Sequence, residues 1–540
     1  MGSRIHSTEL TLLILVVLVA LLAALAQRLK TPYPIVLVLS GLALSFFPLI
    51  PHVSINPTFV FLVILPPLLF ASALNTAWRE FRFNLVSIAM LGLGLVVFTV
   101  AGVAVIAHFF SREFDWRTGA VLGAVISTTD AIAVTAIASR VGLPQNLLAI
   151  IEGESLVNDA TGLLALQFTT ALVASGEVPS LGSGVAEFLW LICGGIAAGL
   201  LIAWFISRFD RLLFRHFQRS SEVPILVSVA TPYFAYLLGE SMHASGVLAT
   251  VVCGLYLGGT TSETFSTRAR LDSRVIWSTI DFVLNGLVFI VIGLQLPTVL
   301  NGMRDRHGRL DWPHLIAGAS LVCGVVIAVR MLLIFPGARV AWFLRRRLLR
   351  QAIEKPRNGE LVVMGWSGMR GVLTLAAALS LPEFTGSGDI FPQRARIIFY
   401  AFAVILVTLV GQGLSLPALI RRLGIVESPE ALDQERQARR VLAKAALKAL
   451  REIPPADEDG DTGPTDLLTR YYQRRLESLK PRDGQPAPML EIKYQDLAAK
   501  LRGVEREQIQ RLRQQGNFRE STLRDLEREL DLLDLRWEKP

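Results

Sequence analysis

The sequence contains the segment Glu152-Gly153-Glu154-Ser155-Leu156-Val157-Asn158-Asp159 in the middle of an apolar run that extends from Leu147 to Val173. This run is long enough to cross a bilayer, which takes about 20 predominantly apolar residues. An ionised side chain at the bilayer centre costs about 3 kcal/mol on insertion scales, so intramembrane acids are usually paired or functional. The segment therefore predicts a functional site inside a membrane protein.

A second apolar run, Gly119 to Ala138, carries Thr128-Thr129-Asp130. Two carboxylates on neighbouring membrane helices form a site that can hold either a cation or a proton, because the bilayer disfavours an uncompensated charge. This chemistry is the one expected of a proton-coupled cation transporter.

The composition agrees with a polytopic membrane protein. Of the 540 residues, 52% are hydrophobic and 18% are charged, and the mean hydropathy is +0.49, whereas a soluble protein has about 25% charged residues. The net charge of +8 is uneven, with +7 in residues 1–420 and +1 in residues 421–540. The basic excess of the membrane part indicates orientation in the bilayer, and no nucleic-acid partner is expected. The three cysteines lie in apolar runs without metal-ligand spacing, so we expect them to pack between helices.

The apolar runs predict an all-α fold of about thirteen transmembrane helices followed by a helical tail. The domain boundaries are 1–420 for the membrane domain and 421–540 for the cytoplasmic tail. The predicted spans are roughly 8–27, 33–50, 57–74, 84–109, 117–139, 146–174, 184–207, 223–239, 243–259, 275–299, 314–335, 360–382 and 394–419.

Loop charges orient these spans in a plasma membrane. Most loop Lys and Arg residues follow odd-numbered spans, and the positive-inside rule places them in the cytoplasm. The N-terminus is then outside and the tail inside. Cleavage of the first run as a signal peptide is disfavoured, because Arg28 and Lys30 follow that run and only Arg4 precedes it.

Two six-helix halves, about 8–174 and 223–419, are expected to be inverted repeats, since the span between them reverses the second half. Secondary transporters of this kind place their sites where broken helices meet near the midplane. The fifth span of each half carries a polar interruption, Ser127-Thr128-Thr129-Asp130 in one and Gly365-Trp366-Ser367-Gly368-Met369-Arg370-Gly371 in the other. These interruptions predict two crossed broken helices.

Asp159 is the candidate carboxylate for which the transported ion and the proton compete; the alternative is a structural acid in a salt bridge. Asn158 offers a carbonyl oxygen to a cation and cannot take up a proton, which favours exchange of one cation for one proton. Its alternative role is to pack between helices as an amide. Ser155, one turn before Asp159, offers a hydroxyl oxygen.

Glu154 needs a cationic partner, for which Arg330 and Arg370 are the intramembrane candidates. We favour a structural pair of Glu154 with Arg330, since two buried charges cost least when they are paired. Asp130 is expected either to ligate the ion or to cap the backbone N–H groups of the broken helix. Thr129 adds a hydroxyl and a carbonyl oxygen, and Arg370 is expected to cap free carbonyl groups in the other broken helix.

Outside this group, Asp281 and Asn285 lie four residues apart on one helix face. Asp281 is either a residue that attracts cations to a cytoplasmic funnel or a solvated helix end.

Together these residues resemble the monovalent cation:proton antiporter family, the sodium/proton exchangers, over about residues 10–420. The strongest match is Gly153-Glu154-Ser155-Leu156-Val157-Asn158-Asp159. Three further motifs follow the same order in chain and family: Leu65-Pro66-Pro67-Leu68-Leu69-Phe70, Thr129-Asp130 and Gly368-Met369-Arg370-Gly371.

The resemblance implies a thirteen-helix fold and a homodimer in which a mobile core carries the ion by an elevator-like movement. It implies Asp159 as the essential carboxylate, and Asp130, Thr129, Asn158 and Ser155 as the frame of a site that binds Na⁺, K⁺ or Li⁺ as substrate, without a cofactor.

Within the family, the Asn-Asp pair is similar to the electroneutral branch, and the expected physiological role is pH homeostasis. Ala131 is a departure, because many relatives have proline there, and this softens the expected break.

The tail is predicted to start a helix at Ser428-Pro429-Glu430 and to continue to about 453, followed by an acidic linker, 454–464. Further helices are predicted at about 466–480, 488–513 and 521–536, the last with Leu523, Leu526, Leu530 and Leu533 on one stripe. The tail is either a packed helical hairpin or a regulatory domain that senses pH or binds a partner. Deleting the residues after 425 separates the two, because only a regulatory domain shifts the dependence of activity on pH.

Three alternative functions are a K⁺/H⁺ antiporter, a cation channel and an intramembrane aspartyl protease. A channel needs a ring of charge or a carbonyl filter, and no filter-like repeat is present in the sequence. A protease needs a pair of catalytic aspartates, which Asp130 and Asp159 match by number alone. The Asn and Arg partners of these acids favour a transporter, and no enzyme is expected.

Overall fold

The computed structural model describes residues 2–46, 60–110, 114–175, 181–216, 222–264, 267–301, 303, 310–351, 353–385, 388, 391–425, 429–452, 463–478, 501, 503–512 and 526. These residues form helices and turns without a β-strand, so the predicted all-α class is confirmed. The chain divides into two compact units, Met1–Val426 and Glu427–Pro540.

In the described part of the first unit the helices follow one another along the chain, with one π-helical turn before α3 (Val60–Ile64) and another after α16 (Val407–Gln412). They are α1 (Gly2–Arg28), α2 (Tyr33–Leu44), α3 (Leu65–Asn75), α4 (Trp78–Phe110), α5 (Trp116–Val125), α6 (Ala131–Val141), α7 (Gln145–Ser175), α8 (Leu181–His216), α9 (Glu222–Ser241), α10 (Gly246–Thr264), α11 (Thr267–Leu294), α12 (Leu296–Asn301), α13 (Trp312–Arg347), α14 (Asn358–Trp366), α15 (Val372–Leu379), α16 (Arg394–Leu406) and α17 (Gly413–Leu423).

Seven helices of the described chain are long and apolar enough to cross a membrane, judged by length and composition alone. They are Trp78–Phe110, Gln145–Ala174, Gly182–Phe209, Glu222–Ser241, Ala269–Asn301, Trp312–Arg347 and Arg394–Leu423. Four shorter apolar helices are Leu13–Arg28, Tyr33–Leu44, Leu62–Asn75 and Gly246–Thr260.

Two spans are interrupted at the polar segments that the sequence singled out. α5 and α6 are separated by residues 126–130, and α14 and α15 by residues 367–371. The first helix of the former pair starts where the Asp115 side chain accepts a hydrogen bond from the Thr118 backbone N–H (2.8 Å). The second ends at Gly142, whose φ of +72° is the left-handed conformation of a helix C-cap.

Two sets of helices form the surroundings of these breaks. On one side α4 packs against α5, α7 and α13. On the other side α1, α2 and α11 pack together, and α2 and α11 approach so closely at Gly41 and Gly293 that their backbones touch. Small residues permit this approach because membrane helices gain stability mainly from close packing of their backbones.

The described residues of the second unit include α18 (Pro429–Glu452) and α19 (Gly463–Ser478), which contact each other, and a helical stretch at 503–512. The two helices lie close to the predicted ones at about 428–453 and 466–480, and the stretch lies within the predicted helix at about 488–513. Residues 463–464 of the predicted linker belong to α19, whereas 454–462 and the leucine stripe, apart from Leu526, lie outside the described residues.

Replacing Gly293 with alanine tests the contact between α2 and α11. A Cβ atom there would collide with the Val38 carbonyl oxygen and the Leu42 nitrogen, both of which are backbone atoms. Overpacking of this kind costs about 1–3 kcal/mol, so we expect a lower unfolding temperature for the detergent-solubilised protein.

Gly94→Ala is the matched control, because an added Cβ at Gly94 in α4 has nothing within 4 Å. Alanine forms helices better than glycine does, so this variant is expected to unfold at the same or a higher temperature. Equal melting temperatures for the two variants would contradict the packing described for Gly293.

Candidate cation-binding site

The two broken spans contact each other at their interruptions, and we call this contact region the crossing. The Asp130 backbone N–H donates to the Met369 carbonyl oxygen (2.8 Å), and the hydroxyl groups of Thr128 and Thr374 are 2.9 Å apart. Each segment thereby satisfies backbone and hydroxyl groups of the other. These mutual hydrogen bonds are required because a bilayer core contains no water that could bond to such groups.

Asp130 occupies the N-terminal end of α6. Its Oδ1 atom accepts a hydrogen bond from the Ile132 backbone N–H (2.8 Å), which is the geometry of a helix N-cap. Its Oδ2 atom is buried without a hydrogen-bond partner in the described chain and lies against Gly371, where a Cβ atom would collide with it. One carboxylate oxygen thus caps the half-helix, and the other makes no hydrogen bond of normal geometry, while the carboxyl group also interacts with the Val372 backbone N–H of α15.

Arg370 complements Asp130 from the second break. Its Nε atom donates to the Ile126 carbonyl oxygen (3.1 Å), and its Nη1 atom donates to the Gly368 carbonyl oxygen. These are free carbonyl groups at the ends of α5 and α14. A negative group at a helix N-terminus and a positive one near free carbonyl groups both reduce the cost of the broken helices.

Glu154 of α7 and Arg330 of α13 form a bidentate ion pair, with oxygen–nitrogen distances of 2.6 and 2.8 Å. Both side chains are buried, with relative exposures of 1% and 2%. Arg330 also donates to the Met364 carbonyl oxygen at the end of α14 (Nη2, 3.1 Å). Each oxygen of Glu154 has a charged donor, so Glu154 has no free carboxylate oxygen. Through the contact of Arg330 with Met364, the pair also joins α7, α13 and α14.

Asn158 is oriented by the same group of residues. Its Nδ2 atom donates both to Glu154 and to the Thr129 hydroxyl oxygen (3.1 Å). With the amide nitrogen engaged, the Oδ1 atom is left buried and has no donor among the described residues. The amide therefore presents a carbonyl oxygen.

Asp159 follows directly on α7 and lies close to the first break. Its carboxyl group interacts with the Thr129 backbone N–H and electrostatically with Asp130, while its Oδ1 atom is buried without a hydrogen-bond partner in the described chain. Ser155, one turn earlier, donates its hydroxyl to the Thr129 carbonyl oxygen (2.8 Å). Thr129 thus contacts Asn158, Asp159 and Ser155 and is bonded to Asp130.

Three residues that contact or adjoin Thr129 each have a buried oxygen atom without a hydrogen-bond partner in the described chain, namely Asp130 Oδ2, Asn158 Oδ1 and Asp159 Oδ1. An unpartnered buried oxygen is unfavourable by several kcal/mol, roughly 2–7 on transfer scales. A monovalent cation bound to these oxygens would offset this cost, and a proton on Asp159 would neutralise that carboxylate and give it one hydrogen bond to donate. Hard oxygen donors of this kind suit alkali cations better than transition metals.

Sequence reasoning missed two threonines that complete the crossing. Thr374 bonds to Thr128, and the Thr408 hydroxyl accepts from the Arg370 backbone N–H (3.0 Å). Thr374 is the one polar residue in α15, whose other residues are apolar, and this was available as a signal. Thr408 is an isolated hydroxyl in an apolar run, and only the contact of the π-helical turn Val407–Gln412 with the crossing gives it a role.

Comparison with known proteins identifies similar chains over most of the sequence. A family described as the transmembrane sodium/hydrogen exchanger matches residues 14–422. An uncharacterized Na⁺/H⁺ exchanger of Mycobacterium tuberculosis is 34% identical over 524 residues, which cover 94% of this chain and 92% of the relative. A sodium, potassium, lithium and rubidium/H⁺ antiporter of Bacillus pumilus is 30% identical over 481 residues, which cover 88% and 70%.

A solved structure has a similar fold. The sodium proton antiporter of Methanocaldococcus jannaschii at pH 8 superposes with a TM-score of 0.61, covering 78% of this chain and 99% of that one. The sequences are 19% identical, so this likeness concerns the fold alone.

A double-mutant cycle tests the ion pair. Arg330→Met leaves Glu154 charged and buried, and Glu154→Met leaves Arg330 charged and buried. Each single change is expected to cost about 3–5 kcal/mol, because an uncompensated charge remains. The double variant removes both charges and should unfold at a higher temperature than either single variant, as followed by thermal unfolding in detergent.

The contradicting result is additivity. If the double variant loses as much stability as the two single variants together, Glu154 and Arg330 do not compensate each other.

Proposed function

Since the chain belongs to the sodium/hydrogen exchanger family, whose members are transporters and not enzymes, we propose that it exchanges Na⁺ for H⁺ across the membrane. K⁺ and Li⁺ are further candidate cations, because the name of the Bacillus pumilus relative includes both. The observation that carries the proposal is the group of three donor-free buried oxygens around Thr129. They form a site that is unfavourable unless a cation or a proton occupies it.

Asp159 is the proposed exchanging group. When ionised it contributes a full negative charge to the cation, with Asp130 Oδ2 and Asn158 Oδ1 as further ligands. When protonated it no longer attracts the cation, so proton uptake and cation release are coupled. The hydroxyl of Ser155 and the hydroxyl and carbonyl of Thr129 complete the proposed ligand set.

A one-for-one, electroneutral exchange is the stoichiometry that the contacts support best. Glu154 is neutralised by Arg330, and Asp130 caps α6, so both have structural duties. Asn158 faces Glu154 through its amide nitrogen, and an aspartate there would place two carboxylates against each other. Asp159 is then the group left to carry one proton or one cation.

We propose thirteen membrane spans in two inverted six-helix halves. Seven long helices, four shorter apolar ones and the two broken spans α5–α6 and α14–α15 support this number. In this proposed count the breaks fall in the fifth span of each half, which is consistent with an inverted repeat. The proposed orientation places the N-terminus outside the plasma membrane and the tail in the cytoplasm.

The proposed movement is a displacement of the crossed helices together with α4, α7 and α13. The Glu154–Arg330 pair and the hydrogen bonds at the crossing hold these helices together, while α1, α2 and α11 pack as a separate group. A homodimer, a regulator that binds the tail and a role in pH homeostasis remain predictions from the family resemblance. Mass measurement of the detergent-solubilised protein tests the dimer.

Asp159→Asn is expected to abolish exchange, because an amide neither takes up a proton nor attracts a cation by charge. The measurement is cation-driven proton movement in proteoliposomes, with Na⁺, K⁺ and Li⁺ added in turn. The Na⁺ assay is repeated with the membrane voltage held at zero by valinomycin and equal K⁺ on both sides.

Glu187→Gln is the matched control, because it removes an exposed carboxylate from α8. It should keep the exchange rate of the unaltered protein. Exchange that survives in Asp159→Asn removes Asp159 from its proposed role, and a rate that changes with voltage contradicts the one-for-one stoichiometry.

A further inference from the structure

α11 carries a second carboxylate–amide pair away from the crossing, Asp281 and Asn285. The Asn285 Nδ2 atom donates to Asp281 Oδ1 (2.9 Å). Asn285 is fully buried, and its Oδ1 atom has no hydrogen-bond partner in the described chain. The pair repeats the pattern of Asn158, whose nitrogen is engaged by a carboxylate while its oxygen is left free.

The pair does not lie at a solvated helix end. Asp281 is half-buried, and the neighbouring Phe282 packs its ring against Tyr33 of α2, with centroids 5.4 Å apart. The close glycine contact between α2 and α11 fixes the two helices relative to each other. Tyr33, Asp281 and Asn285 therefore belong to one rigid part of the molecule.

This part faces the crossing. The Tyr33 hydroxyl interacts electrostatically with both Asp281 and Asp130, and the two aspartates interact with each other. α2 contacts α6, and α11 contacts α15. The second pair is thus within electrostatic range of Asp130, whose Oδ2 atom has no hydrogen-bond partner in the described chain.

The free oxygen of Asn285 requires an explanation, because a buried carbonyl oxygen without a donor is unfavourable. A leucine of similar size would fill the same space without this cost. The three groups instead supply a carboxylate, an amide carbonyl and a phenol oxygen. Such uncharged and anionic oxygens, with no basic side chain on residues 275–294 of α11, are a donor set for a small hard cation.

We propose that Asp281, Asn285 and Tyr33 form a second binding subsite for the transported monovalent cation, occupied before the ion reaches Asp130 and Asp159. This inference rests on the proposed cation:proton exchange. The subsite is built on α2 and α11, whereas the exchanging carboxylate is on α7. It therefore loads the crossing with cations and takes no part in the competition with the proton at Asp159.

Kinetics distinguish such a subsite from a structural contact. Loss of a ligand at the loading step weakens cation capture, so the apparent KM for Na⁺ rises while the rate at saturating Na⁺ is kept. We expect a rise of about tenfold for Asp281→Asn and for Asn285→Leu, the change that corresponds to one lost ligand contact. Tyr33→Phe should raise the KM by a smaller factor, and Asp281→Glu should restore it in part.

The experiment measures Na⁺-driven proton movement in proteoliposomes over a range of Na⁺ concentrations for these variants and for Glu187→Gln. Each variant is first checked for a single symmetric peak on size-exclusion chromatography, and its saturating rate reports the folded fraction. Asn285→Leu is the decisive variant, since it changes no charge. The assays are repeated in high choline chloride, which screens general attraction between the protein and cations.

A raised KM in both Asp281→Asn and Asn285→Leu, at low and high choline chloride, supports the subsite. An unchanged KM in Asn285→Leu overturns the subsite. This holds even if Asp281→Asn raises the KM, provided that the rise disappears in choline chloride, because general charge attraction then explains the effect of the aspartate. Wild-type protein without Na⁺-driven proton movement would instead overturn the proposed function, and with it the basis of the subsite. The two failures are therefore distinguishable.

Discussion

The backbone at the crossing of the two broken spans must satisfy its own polar groups, and the arrangement around it follows from this requirement. Breaking a helix in a low-dielectric medium exposes N–H groups on one half and carbonyl groups on the other. Asp130 accepts from the freed N–H group of Ile132, and Arg370 donates to freed carbonyl groups. Asp130 and Arg370 therefore stabilise the broken helices, in addition to any role in ion binding.

The same requirement explains why so many polar residues around the site are already hydrogen-bonded to one another. Glu154 directs both oxygens to Arg330 and still accepts from Asn158. Asn158 in turn donates through its amide nitrogen, while its carbonyl oxygen has no hydrogen-bond partner in the described chain. A dense set of buried hydrogen bonds of this kind is rigid, because leaving any donor or acceptor unpaired is costly. Asp130 and Asn158 each keep one unpaired oxygen while their other polar atom is hydrogen-bonded.

The two groups of helices near these oxygens are held together by different kinds of contact. Arg330 joins α13 to Glu154 of α7, and Arg345 joins α13 to Asn84 and Phe83 of α4. By contrast, α2 and α11 are joined by glycines at backbone distance. Polar contacts fix orientation, and close backbone packing fixes separation. Tyr33 and Asp281 of the second group interact electrostatically with Asp130 at the crossing. A cation that passes between the groups would meet oxygen donors on both sides.

Much of this protein could be predicted from its sequence. Apolar runs of membrane length predicted the helical class, and the family followed from four motifs in order. Position in the bilayer singled out Asp130, Glu154 and Asp159, because an acid is costly there whatever its neighbours are. The breaks could be located because glycine and polar residues interrupt otherwise apolar segments.

Only the tertiary structure decided which atoms of these residues are free. The sequence offered Glu154 two cationic partners, and the packing of both α13 and α7 against α4 brought Arg330 to it. Asp130 had two possible roles, and the structure assigns one oxygen to capping and leaves the other open. The tertiary structure also revealed the hydrogen bonds of Thr374 and Thr408 and the unpaired buried oxygen of Asn285. The physical reason is that sequence determines which groups must be compensated, whereas compensation itself depends on contacts between segments far apart in the chain.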